Sequence, residues 1–133
     1  MLAVFFIPVS NIFGQANKET ATVYFMRTIG NFSASGAMNI FVDSAFQCKL
    51  NESRYFTRNY DPGVHLFSVQ AQGKKYKKRI EQIPLELEAG KTYYLQLAVM
   101  YDTFVNYLYL KEVTKNTANL VMPRLIPDAS CAK

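Results

Sequence analysis

The stretch Tyr60-Asp61-Pro62-Gly63-Val64-His65-Leu66-Phe67-Ser68-Val69 decides the fold, because it writes a turn straight into a strand. Proline presets φ at the second turn position and glycine accepts a positive φ at the third, the pair that a type II turn requires. After the turn, His65, Phe67 and Val69 fall on one face of an extended chain, opposite Leu66 and Ser68.

The same punctuation recurs in both directions. Upstream, residues 21–28 read as a first strand, with Val23 and Phe25 opposite Tyr24 and Met26; the Gly-, Ser- and Asn-rich residues 29–36 read as a loop. Residues 38–42 form a second strand, and Asp43-Ser44 turns the chain into a third at 46–50. There Phe46, Cys48 and Leu50 alternate with Gln47 and Lys49, which places Cys48 among core positions. A polar turn at 51–53 leads to a fourth strand at 55–60, and residues 64–71 make the fifth. Downstream, residues 74–87 read as extended with a break at Pro84, and Glu88-Ala89-Gly90-Lys91 punctuates again. Residues 92–100 set Tyr93, Leu95, Leu97 and Val99 together. Residues 103–113 alternate Phe104, Asn106, Leu108 and Leu110 against Val105, Tyr107 and Tyr109. Apolar residues on both faces of that last segment predict a central strand or one covered by the tail.

No stretch sustains a helical period. The prediction is therefore all-β: a single antiparallel sandwich of about seven to eight strands. The 133 residues, 50% hydrophobic and 14% aromatic, suffice for one core. The expected domain spans 17–115, followed by a tail at 116–133. Pro123 and Pro127 limit ladder bonding there, so Leu120-Val121-Met122 is expected as an added edge strand at most.

Residues 2–14 carry no charge, and Gly14-Gln15-Ala16 offers the small residues that a signal peptidase reads. The run is shorter than the roughly 20 residues a transmembrane helix needs, so residues 1–16 are read as a signal peptide. Met1-Leu2-Ala3 lacks the usual basic start, and the alternative is a buried apolar strand. No cysteine follows the run, which gives no support to a lipid anchor at that point.

Cys48 and Cys131 permit one disulfide in an oxidising compartment; the alternative is a buried thiol at Cys48 and an unpaired one in the tail. The net charge of +5 is local. Lys74, Lys75, Lys77, Lys78 and Arg79 supply five of the fifteen basic residues, leaving ten basic against ten acidic. With Tyr76 they form a ribbon for an anionic surface such as lipid phosphate or acidic glycan, or a lysine-guarded edge strand. Export argues against nucleic acid.

His65 is the chain's one histidine and follows the Asp61-Pro62-Gly63 turn, so a structural role at the end of the core is expected. Asp43, Asp61 and Asp102 sit at turns, where carboxylates cap backbone amides more often than they bind calcium. No glycine-rich phosphate loop, catalytic carboxylate pair or nucleophile elbow is present; no metal, cofactor or enzymatic activity is expected. Tyr93, Tyr94, Tyr101, Tyr107 and Tyr109 fill a core or offer rings to a sugar or a partner.

The arrangement of Ala21-Thr22-Val23-Tyr24-Phe25, Val42-Asp43, Tyr55, Pro62-Gly63-Val64-His65 and Gly90-Lys91-Thr92-Tyr93-Tyr94-Leu95 resembles the bacterial domain of unknown function 2846 and the PEGA-type domains. The resemblance covers residues 20–113. It implies an immunoglobulin-like or prealbumin-like sandwich, exported or lipid-anchored, with no catalytic residues to carry over. Ser44 stands where such domains often have glycine. The expected function is a non-enzymatic module of the cell envelope, in the periplasm or at the cell surface. It would bind protein or glycan through strand edges, turns and the basic ribbon, with peripheral contact to anionic membrane. The alternative is a carrier of a small hydrophobic ligand in a cavity lined by the aromatic strands.

Overall fold

A computed structural model of the protein describes residues 19–28, 36–71, 82–101 and 106–132. Its strands are β1 (Ala21–Arg27), β2 (Met38–Val42), β3 (Ala45–Leu50), β4 (Arg54–Tyr60), β5 (Gly63–Ala71), β6 (Ile83–Leu87), β7 (Thr92–Tyr101), β8 (Asn106–Val113) and β9 (Ile126–Pro127), with one helix, α1 (Lys115–Val121). They make two sheets, a five-stranded one in the order β8-β7-β1-β4-β9 and a four-stranded one in the order β3-β2-β5-β6. The expected signal peptide and the basic ribbon lie outside the described residues.

Pairing is antiparallel except at two contacts: β1 runs parallel to β7, and β4 runs parallel to β9. The central strand β1 therefore has an antiparallel neighbour on one side, with Phe25 opposite Phe56, and a parallel neighbour on the other, with Tyr24 opposite Tyr94.

Alternation explains the core. Ala21, Val23 and Phe25 of β1 point inward and are fully buried, meeting Ile40 of β2, Phe67 of β5 and Leu95 of β7. The Phe25 ring stacks on Phe56 at 4.5 Å and lies 6.0 Å from Phe67. Met26 breaks the alternation by being buried on the outer face. The reason is α1, which lays Ala118 over it together with Leu125, forming a second small apolar cluster.

Three sequence expectations are corrected. Phe46 is 53% exposed and not in the core. The register between β2 and β3 shifts there, Ile40 facing Cys48 but Phe41 facing Phe46, so the extra residue Gln47 flips Phe46 to the outer face. Pro84 does not break its strand but lies within β6, opposite Leu66. Both the N–H and the C=O of Leu66 are engaged by Asp43 on the other side, so the missing N–H of Pro84 faces away from β5, toward an edge that no other described strand occupies, and costs no bond of the β5–β6 ladder.

The segment Leu120-Val121-Met122 is not a strand: Leu120 and Val121 end α1, and Met122 starts a 3-10 turn. Thr114 nucleates the helix by accepting from the amide of Thr117 at 3.2 Å, and Ala118 anchors it by burial. The added edge strand is β9, a few residues later. Of the two readings of the last strand, cover by the tail is the one seen: β8 ends its sheet among the described residues, Leu110 faces the core and Val113 packs toward the α1 cluster.

Candidate functional site

The Asp61-Pro62-Gly63 segment is a bend in which Gly63, with φ of +127°, is already the first residue of β5. This delivers His65 to the end of the sandwich. Its Nδ1 lies 2.6 Å from Asp43 Oδ2 and its Nε2 lies 2.7 Å from the Asp61 carbonyl oxygen. A carboxylate and a carbonyl can only accept, so both ring nitrogens donate and the ring is an imidazolium. Burial opposes that charge, but the bond to Asp43, the bond to the Asp61 carbonyl and the two nearby carboxylates outweigh it and raise the His65 pKa. The other oxygen of Asp43 accepts from the amide of Leu66 at 2.9 Å. Asp43 and Ser44, both with positive φ, form the tight β2–β3 turn that presents this carboxylate. His65 therefore ties two turns together and has no free nitrogen with which to act as a base.

On the same β2–β3 hairpin that supplies Asp43, Cys48 of β3 is bonded to Cys131, with Cα atoms 5.4 Å apart. The tail that carries Cys131 is held by a second device. Asp128 accepts from the amide of Asn51 at 2.8 Å and from the hydroxyl of Ser130 at 2.6 Å. The amides of Ile126 and Asp128 donate to the carbonyls of Ser53 and Tyr55, so the tail extends the sheet along β4 for two residues before turning away. Beyond it lies a cleft of about 460 Å³ lined by Tyr55 to Asn59 on one wall and by Pro127, Asp128, Cys131 and Ala132 on the other. Arg58 projects there from β4, its guanidinium donating to the carbonyls of Gln47 and Cys131 at 3.1 and 3.4 Å.

The outer face of the five-stranded sheet carries the densest array of recognition chemistry among the described residues. Tyr24 of β1 sits 5.2 Å from Tyr94 of β7 and 6.3 Å from Tyr55 of β4, centroid to centroid. In register beside these half-buried rings stand Thr57, then a row made of Asn59, Thr22 and Thr92. Thr22 donates its hydroxyl to the amide oxygen of Asn59 at 2.9 Å. Helix α1 closes the other side. Next to Tyr94 a depression of about 390 Å³ adds Glu112 and Lys115. The arrangement offers three half-buried rings, packed on one another and, at Tyr55 and Tyr94, against the α1 cluster, bordered by hydroxyl and amide groups that suit a hydroxylated ligand.

Of the expected site residues, Asp61, Gly63 and His65 form the turn clamp, Pro62 shapes its bend, and Cys48 and Cys131 bond the tail. Lys74, Lys75, Tyr76, Lys77, Lys78 and Arg79 fall outside the described residues, as does Asp102. Among the expected tyrosines Tyr94 joins the row, while Tyr93 turns the other way and accepts from the amide of Glu88 at 2.8 Å. The sequence reading did not single out Tyr24 and Tyr55 as site residues. Alternation set Tyr24 opposite Val23 and Phe25, but only the pairing of β1 with β7 and β4 puts Tyr94 in register beside it and Tyr55 diagonally across from it. No group of His, Cys, Asp and Glu that could hold a metal ion occurs among the described residues. No protein-family model matches the chain, and no curated protein matches it.

Proposed function

We propose that the protein is a non-catalytic recognition module of the bacterial cell envelope, and that it binds glycan on the outer face of its five-stranded sheet. The observation that carries this reading is the row of Tyr55, Tyr24 and Tyr94 flanked by Thr57, Thr22, Asn59 and Thr92. Tyrosine offers a large rigid contact area with little side-chain entropy to lose, and its hydroxyl finds partners among sugar hydroxyls. The Cys48–Cys131 bond supports placement in an oxidising compartment. The apolar residues 2–14 and the resemblance to the domain of unknown function 2846 support export.

The test is binding of cell-wall oligosaccharide by the intact protein and by Tyr94→Ala. Loss of one stacked ring should weaken binding by about tenfold. Unchanged affinity in Tyr94→Ala, with the fold intact, would refute the assignment.

A further inference from the structure

The cleft beside β4 is a place where the sheet is unfinished. Backbone groups of a strand point alternately to its two sides. The carbonyls of Ser53 and Tyr55 face β9, because they accept from Ile126 and Asp128 at 3.1 and 2.9 Å. By the same alternation the N–H and C=O groups of Thr57 and Asn59 face this edge too. Yet β9 pairs only with Arg54 and Tyr55, and no other described strand lies along β4 on that side. The tail does not slide forward to fill the gap. It is held by the Asp128 contacts to Asn51 and Ser130 and by the bond from Cys131 to Cys48.

We propose that the Thr57–Asn59 edge of β4 accepts an extended peptide that carries a carboxylate side chain, added as a further strand in line with β9. Strand addition of this kind takes its affinity from main-chain bonds and its selectivity from alternate side-chain pockets. The β4–β9 pair shows that this edge already accepts a strand. Charge selects the occupant. Arg58 lines the cleft, and among the described residues its guanidinium meets backbone carbonyls and the Phe56 ring, at 5.5 Å, and no carboxylate. The one carboxylate in the lining, Asp128, is taken up by Asn51 and Ser130. A second copy of the chain fits poorly. Pairing two β4 edges so that Thr57 meets Asn59 in each direction would set two Arg58 side chains opposite each other, which is repulsive.

The experiment uses the full chain, disulfide intact, with a capped eight-residue peptide of alternating valine and threonine that bears one central glutamate. Controls are the same peptide with glutamine in that place and a version N-methylated on alternate amides. Amide exchange at Thr57 and Asn59 should slow when the glutamate peptide is added, and N-methylation should abolish the effect. Arg58→Gln should lower affinity for the glutamate peptide about tenfold, while leaving the glutamine peptide unchanged. Asn59→Pro removes an N–H that points away from β1, so it should block binding and keep the fold. Tyr94→Ala should leave peptide binding intact, which separates this site from the glycan face. Absence of protection at Thr57 and Asn59, equal affinity for the glutamate and glutamine peptides, or full binding by the N-methylated peptide would each overturn the proposal.

Discussion

His65 and Asp43, twenty-two positions apart in the chain, meet at 2.6 Å and lock the β2–β3 turn to the bend before β5. The contact joins two charges that respond to pH in opposite senses. Burial works against ionised Asp43, but the bonds from the Leu66 amide and from His65 prevail and lower its pKa from 3.8. His65 is raised from 6.5 for the converse reason, burial again opposing and Asp43 prevailing. A histidine raised on folding adds stability that is complete below its unfolded pKa and is lost as pH rises through the folded value. An aspartate lowered on folding adds stability present above its unfolded pKa and lost as pH falls through the folded value. Thermal stability should therefore peak between about pH 4 and about pH 6.5. His65→Gln should remove the decline on the alkaline side of that window, as followed by melting temperature across pH. An unchanged alkaline decline in His65→Gln would show that the clamp does not contribute.

Reduction of the Cys48–Cys131 bond should destabilise the protein by about 3 to 5 kcal/mol, because the bond closes a loop with a sequence separation of 83 residues. Denaturant melts with and without reductant measure this directly. The loss should be largest in the tail, so proteolysis after Asp128 should accelerate before the sandwich itself unfolds.

Asp128→Ala should cost about 1 to 2 kcal/mol, since Asp128 caps the last 3-10 turn and accepts from the Asn51 amide. Hydrogen exchange should show the bond from the Ile126 amide to the Ser53 carbonyl opening in this variant. Retention of full protection at Ile126 would mean that the disulfide alone holds the tail.

Phe25 and Phe46 are predicted to differ sharply although both alternate with polar or outward residues in the sequence. Phe25→Ala should cost about 3 to 5 kcal/mol, because a fully buried ring stacked on Phe56 is removed. Phe46→Ser should cost less than about 1 kcal/mol, because the ring is more than half exposed. Chemical denaturation of the two variants checks the bulge that separates them.

What was legible in the sequence was local. Period-two alternation grouped Val23 with Phe25 in β1 and Phe67 with Val69 in β5, and these pairs are buried together; Met26 and Ser68, on the opposite faces, are buried by other elements. What was not legible depended on distant partners. Gln47 reads as an ordinary strand residue and becomes a bulge only against β2. The α1 segment spans seven residues, too few to show a helical period, and it is a helix because Met26 offers a surface to cover. The tyrosine row needs three strands, one of them paired in parallel after a long excursion of the chain. Side-chain alternation assigns a face to each ring but cannot say which rings share it.

The most direct test of glycan recognition is amide chemical-shift mapping of the isotopically labelled protein during titration with cell-wall oligosaccharide. Shifts should concentrate at Tyr24, Thr57, Thr92 and Tyr94, spreading over one face of the five-stranded sheet and leaving the outward residues Val64 and Leu66 of β5 unmoved. Shifts confined to the four-stranded sheet, or none at saturating oligosaccharide, would contradict the account.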